Sequence, residues 1–321
     1  MSVASRLLLK KDLPDIPPVP KGVSRPFWSV MIPTFNCARF LRTTLESVLQ
    51  QNYPPEEMQI EVVDDCSDGD PEGVVEEVGH GRVGFRQVRN LGHSGNFLTC
   101  LRRSRGHVIH ILHGDDYVRP GFYTKLEQAL RSNPSVGAAF CRHIFADENG
   151  HLTRISLLLR EESGTWTSGA RELARKQRIQ TPSIVVRRSV YERLGGFDTR
   201  LSWTKDWEMW VRVAAHYPIW YEPEPLAVYR IREGSNTSRC ILTGENIRDM
   251  QKCINIFNDY FPPSERSEIV ASARQHCAQF AIATARELFI RRQQKGAFLQ
   301  LCEAVRCIVD CGSFEVCFAR Y

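Results

Sequence analysis

The sequence predicts an α/β fold, a mostly parallel central sheet flanked by helices, with a helical extension at its C-terminal end. Three observations point there. Up to about residue 240, short apolar runs alternate with segments of helical period. Acidic residues collect at the carboxyl ends of those runs, the edge at which open parallel sheets bind their ligands. Beyond Cys240 the strands stop and long helical segments take over.

Taken in order, the chain opens with "MSVASRLLLKK", whose apolar centre is too short for a secretory signal. In "DLPDIPPVPKGVSRP", Pro14, Pro17, Pro18, Pro20 and Pro26 exclude a helix or a central strand, so residues 1–26 are expected to form an extended arm. "FWSVMIPTFN" then reads as a buried strand. "ARFLRTTLESVLQQ" follows as a helix with Phe40, Leu41, Thr44, Leu45 and Val48 on one face. "MQIEVVDDCSDGD" is a second strand running into acids, and "GRVGFRQVRN" a third. "LGHSGNFLTCLRRSRG" reads as a glycine loop and a helix with a basic end, and "HVIHILHGDD" as the fourth strand. Thr34, Asp64, Asp65, Asp115 and Asp116 all fall at strand ends.

The chain continues with a strand in "SVGAAFCRHIFAD", a loop-rich portion, "TPSIVVRRSVYERLGGFD", "WTKDWEMWVRVAAHYPIWY", and a last apolar strand in "PLAVYRIREGSNTSR". "ENIRDMQKCINIFNDYF", "SERSEIVASARQHCAQFAIATARELFIRR" and "KGAFLQLCEAVRCIVD" make up the helical extension, residues 241–321.

The net charge of +5 comes from 42 basic and 37 acidic residues interspersed along the chain, which argues against a nucleic-acid binder and fits an anionic ligand. Eleven cysteines, odd in number and scattered, predict reduced thiols and a cytoplasmic protein rather than a disulfide scaffold. Cys302, Cys307, Cys311 and Cys317 contain no CxxC pair and read as small buried hydrophobes, not a zinc site. No apolar run approaches the roughly 18–20 residues of a bilayer span, which leaves peripheral attachment to a membrane compatible.

Several motifs carry chemistry. "GHGRVG", residues 79–84, matches GxGxxG in the wrong context, with a helix before it and a strand after, and is expected to be a turn. Asp115 and Asp116 end an apolar strand. Like charges side by side repel, so a buried pair calls for a cation, and a divalent ion with oxygen ligands fits best. A solvated turn and a polymerase-type metal site are the other readings, the latter disfavoured by the absence of a broad basic channel. Asp65, after "IEVV", is a turn acid or an acceptor for an imide N–H or a ribose hydroxyl. His107, His110 and His113 recur every third residue, which in a strand sends the middle one to the opposite face and argues against a three-His site. In "GGFDTRLSWTKDWEMW", Asp206 and Glu208 open a helix, and Trp203, Trp207 and Trp210 read as a core stripe.

Together these residues resemble the inverting family 2 glycosyltransferases of the GT-A fold. "SVMIPTFNCARFLRTTLESVLQQ" is similar to that family's opening strand and helix, and "EVVDDCSDGD" to its nucleoside-binding acids. "ILHGDDYVRPGFY" is similar to its DxD-type metal motif, and "KDWEMWVRVA" to its catalytic-base motif. The four stand in the family's order across residues 27–232. The resemblance implies a GT-A domain over 27–240, with a nucleotide-binding half at 27–128 and an acceptor half at 129–240. It implies that Thr34 and Asp65 hold the nucleoside, Asp115 faces the ribose or sugar, Asp116 ligates Mn²⁺ or Mg²⁺, and Asp206 is the base, with Glu208 its rival. Lys205 stands where the family often carries an acid, and Arg232 where it often carries a histidine; a guanidinium there clamps phosphate.

The expected reaction is transfer of a sugar from a UDP- or dTDP-type donor to an acceptor hydroxyl with inversion. The acceptor class (saccharide, lipid-linked glycan, protein or secondary metabolite) is not readable. No nucleic-acid partner is expected, and the extension is expected to serve self-association or acceptor docking. A nucleotidyltransferase would want a glycine-rich, lysine-bearing loop, which "PTFNCARF" is not. A catalytically inactive sugar-nucleotide-binding or scaffold protein is the other alternative, opposed by Asp116 and Asp206.

Overall fold

A computed structural model describes residues 13–309. The opening apolar segment up to residue 12, and Cys311 and Cys317, lie outside the described residues. The chain divides into two compact units. The first takes its described residues from Met1–Thr167, Ile179–Thr199 and His216–Ile231, and the second from Ser168–Arg178, Arg200–Ala215 and Arg232–Tyr321.

The first unit is built on one sheet. Its strands are β1 (Trp28–Thr34), β2 (Met58–Asp64), β3 (Gly84–Gln87), β4 (Val108–Ile111), β5 (Tyr117–Val118), β6 (Ala138–Ala146), β7 (Leu152–Ile155), β8 (Gly164–Trp166), β9 (Ile184–Arg187) and β10 (Ile219–Arg230). The spatial order is β3-β2-β1-β4-β9-β6-β10-β5, with β7 on β6 and β8 on β10. β3, β2, β1 and β4 run parallel, as do β6 and β10; β9 lies antiparallel between β4 and β6. Every residue of β1 and β2 is buried, as expected of parallel strands covered on both faces.

Helices α1 (Ala38–Leu49), α2 (Pro71–Gly79), α3 (Gly92–Arg103), α4 (Phe122–Ser132) and α6 (Arg188–Leu194) belong to this unit. The buried face of α1 is the one the periodicity predicts: Phe40, Leu41, Thr44, Leu45 and Val48. The "GHGRVG" stretch is a turn, with Gly79 closing α2, His80 and Gly81 left-handed and Gly84 opening β3. From Pro14 to Pro26 the proline segment lies along this unit: the Gly196 and His107 amides donate to Pro14 O and Pro26 O, and Arg188 donates to Pro17 O.

The second unit is helical: α5 (Gly169–Arg175), α7 (Lys205–His216), α8 (Asn236–Thr243), α9 (Glu245–Phe257), α10 (Pro263–Ile290) and α11 (Gln294–Val309). Trp207 and Trp210 are buried; the Trp207 indole donates to Leu173 O and meets the Phe257 ring edge-on at 5.4 Å. No described helix is long and apolar enough to cross a membrane.

Candidate active site

The register of the sheet assembles the first part of the site. β1 and β2 pair so that Thr34 lies beside Asp64, and Asp65 N donates to Thr34 O at 3.0 Å. Thr34 is buried, and its hydroxyl donates to Asp64 Oδ1. Asp64 also accepts from the Ser67 amide and hydroxyl and from Gln87 Nε2, so its carboxylate ties down the loop after β2. Asn36 and Cys66 take left-handed backbone (φ 50° and 66°), which folds the two loops onto each other, and Asn36 and Asp68 exchange hydrogen bonds between them. Asp65 bonds to a different segment. One of its oxygens accepts from Leu91 N at 2.6 Å, at the start of α3, and burial pushes its carboxyl above the ordinary range.

The turn after β4 brings in the second part. A Cβ on Gly114 would lie 2.5 Å from the Thr34 methyl and 2.9 Å from Cys37 Sγ, so only glycine lets this turn close onto the end of β1. The acid pair then divides its labour. Asp116 is wholly buried: Oδ1 accepts from Arg230 N at 2.8 Å, Oδ2 meets His113 Nδ1 at 3.1 Å, and its carbonyl accepts from Thr44. Burial pushes its carboxyl up to about 6; the bond from His113 opposes the rise and Asp115 adds to it. Asp115 is only partly buried, and its carbonyl accepts from Arg230 Nε at 2.9 Å. Donor atoms of His113, Asp115 and Asp116 all lie within 4.8 Å of one another.

Two side chains at this acid pair escaped the sequence reading. For His113 the sequence offers one signal, its place two residues before Asp115. Its Nδ1 lies 3.1 Å from Asp116 Oδ2, a contact in which the ring N–H donates to the ionised carboxylate. Arg230 ties the turn down: its amide donates to Asp116 Oδ1, its Nε to the Asp115 carbonyl, and its guanidinium lies over the Phe40 and Tyr117 rings at 4.7 and 5.6 Å. The other two histidines play no part here. His110 is fully buried and neutral, its Nε2–H donating to Pro182 O while Nδ1 accepts from the Tyr123 hydroxyl, and burial drives it down to about 3.

Asp206 and Arg232 belong to the second unit. Asp206 sits in the first turn of α7, where Oδ1 accepts from Trp207 N and Oδ2 from Gln177 Nε2, both at 2.8 Å. Burial lowers the neighbouring Lys205 ammonium to about 8, against the pull of Asp206 and Asp249. Glu208 points elsewhere: it is fully buried, paired with Arg212 at 2.8 and 2.9 Å, and accepts from the Tyr260 hydroxyl. Arg232 is partly buried, and its carbonyl accepts from Ser238 Oγ at 2.8 Å.

Residues 29–195 match the family model for Glycosyl transferase family 2. The chain belongs to this family. Thr34, Asp65, Asp115 and Asp116 fall inside the matched stretch, and Asp206 and Arg232 beyond it. An uncharacterized protein of Mycobacterium tuberculosis is 31% identical over 260 residues, covering 76% of this chain and 80% of its own length. Staphylococcus aureus TarS 1–349 in complex with UDP-GlcNAc superposes with a TM-score of 0.59 at 15% identity, over 87% of this chain and 91% of that one. The mannosyltransferase PcManGT from Pyrobaculum calidifontis, in complex with GDP-Man and Mn²⁺, superposes with a TM-score of 0.54 at 18% identity, over 96% and 95%. At these identities the two structures speak to the fold, which is GT-A. The glycosyltransferase therefore carries its acids at the carboxyl ends of the strands, where α/β sheets bind ligands.

Proposed function

We propose that this glycosyltransferase moves a sugar from a nucleoside diphosphate sugar, of UDP or dTDP type, to an acceptor hydroxyl with inversion and with the help of a divalent cation. The observation that carries the reading is the cluster of His113, Asp115 and Asp116 at the end of β4, beside Thr34 and Asp65 in a family 2 sheet. Two carboxylates and one imidazole with donor atoms this close suit Mn²⁺ or Mg²⁺, and the nitrogen donor weighs toward Mn²⁺. Asp116, with His113 and Asp115, would hold the cation, which would supply positive charge against the departing diphosphate. That the solved relatives hold UDP-GlcNAc, or GDP-Man with Mn²⁺, supports a nucleotide-sugar donor.

The chain's own residues do the rest. Thr34 and Asp65 hold the nucleoside, with Asp65 accepting from the base or ribose. Asp115 faces the ribose or sugar, and Arg232 clamps a phosphate oxygen. Asp206 takes the proton of the acceptor hydroxyl as the bond to the anomeric carbon forms. Glu208, committed to Arg212 and Tyr260, is the poorer base. The test is the anomeric configuration of the product by NMR. Inversion is expected; retention excludes a single displacement with Asp206 as base.

A further inference from the structure

In the second unit, the segment leading into α7 is held by one carboxylate from a helix much later in the chain. The backbone N–H groups of Ser202, Trp203 and Thr204 all donate to Asp249, at 3.0, 2.8 and 2.7 Å. The hydroxyls of Ser202 and Thr204 add bonds of 3.2 and 2.8 Å to the same carboxylate. Three consecutive amides converging on one anion form a nest, and bonds to an ionised acceptor are about twice as strong as neutral ones. Asp249 is buried in α9, and α8 secures the same segment through Asn236 Nδ2 to Ser202 O at 3.2 Å and Trp203 Nε1 to Thr237 Oγ1 at 3.2 Å.

Two residues beyond this nest stands Asp206. Thr204 passes directly into α7, with Glu208 N donating to Thr204 O at 3.0 Å, so the backbone that Asp249 holds sets where the first turn of α7 begins. We infer that Asp249 is a positioning residue for glycosyl transfer: it fixes Ser202–Thr204 and through them the carboxylate of Asp206. The inference rests on Asp206 being the base. It gives the helical extension a part in the chemistry, since α9 lies beyond the stretch that matches the family model.

A misplacement of about 1 Å at a reacting group is enough to cost about 10²-fold in rate. Asp249→Asn keeps the shape but turns an amide NH₂ toward donors, which loosens the nest. The experiment is a double-mutant cycle in the full chain with Asp249→Asn, Asp206→Asn and both together. It reads nucleoside diphosphate release from the nucleotide sugar that a donor panel selects, with water as acceptor. Asp249→Asn is expected to lower kcat by about 10- to 100-fold, with KM for the donor within about two-fold. It should cause no further loss in the Asp206→Asn background, because a residue acting only through Asp206 has nothing left to position. Should the Asn variant melt below the assay temperature, Thr204→Val removes one hydroxyl donor of the nest and is expected to show the same pattern at about three-fold.

An unchanged kcat, or losses that multiply in the double variant, overturns the inference while leaving Asp206 as base. Full activity of Asp206→Asn alone overturns the base assignment, and with it this inference. No release by the wild-type chain from any donor overturns the transfer reading itself.

Discussion

Replacing Asp206 by Asn removes its basicity while keeping the shape of the side chain. The side-chain oxygen that remains accepts from Trp207 N as before, and the new NH₂ meets Gln177, whose amide can turn to offer its oxygen. Both charge-assisted hydrogen bonds become neutral, so the fold loses about 1–2 kcal/mol. Lys205 keeps Asp249 as its remaining carboxylate. Basicity, by contrast, is abolished. Transfer should fall about 10²- to 10⁴-fold, or about 3–5 kcal/mol of barrier, with nucleotide affinity unchanged by calorimetry. Glu208→Gln should behave the other way. It removes the carboxylate paired with a fully buried Arg212, a loss worth about 3–5 kcal/mol of stability, and should appear as a lower melting temperature with kcat retained in the fraction that stays folded. A fully active Asp206→Asn beside a folded but inactive Glu208→Gln would move the base to Glu208.

Asp116→Asn places an amide NH₂ opposite His113 Nδ1 and favours the tautomer with a proton on Nε2; Mn²⁺ affinity measured by calorimetry should drop at least about 10²-fold, and wild-type affinity would sink the metal assignment. Asp65→Ala should weaken UDP or dTDP binding by about 1.5–3 kcal/mol; unchanged titrations with both nucleotides would remove Asp65 from the donor site. Acid should destabilise the fold through His110 and His143, which burial lowers to about 3 and about 4. Below pH 6.5 the unfolded chain takes up protons these rings refuse, so stability is present above pH 6.5 and is lost as pH falls toward 4 and 3. Between pH 7 and 5 His110 alone accounts for about 2 kcal/mol. A His110→Gln variant whose urea midpoint falls as steeply as wild type over that range would refute this.

The first four strands and the acids at their ends were legible because both depend on local pattern: apolar runs, a period of 3.6 in α1, and charge where a buried strand stops. What escaped depends on partners distant in sequence. β10 is one strand from Ile219 to Arg230, yet Pro223 and Pro225 split it in the sequence; the chain absorbs them as register shifts against β6 between Glu222 and Ala227. The reversal of β9 between β4 and β6 leaves no mark on a strand's own composition. α8 lay hidden in "EGSNTSR", where its only local sign is Ser235, which caps it by accepting from Ser238 N. Arg230 reaches the acid pair through pairing of β10 with β5, and Asp249 reaches Ser202–Thr204 from 45 or more residues away.

The most direct test of the account is the release of nucleoside diphosphate from a panel of nucleotide sugars, run with Mn²⁺ and again after exhaustive chelation. The expected result is release from a UDP or dTDP sugar that stops on chelation, returns with Mn²⁺, and is lost in Asp116→Asn. Release that continues undiminished after chelation, or that survives in Asp116→Asn at the wild-type rate, would contradict a metal held by the acids at the end of β4.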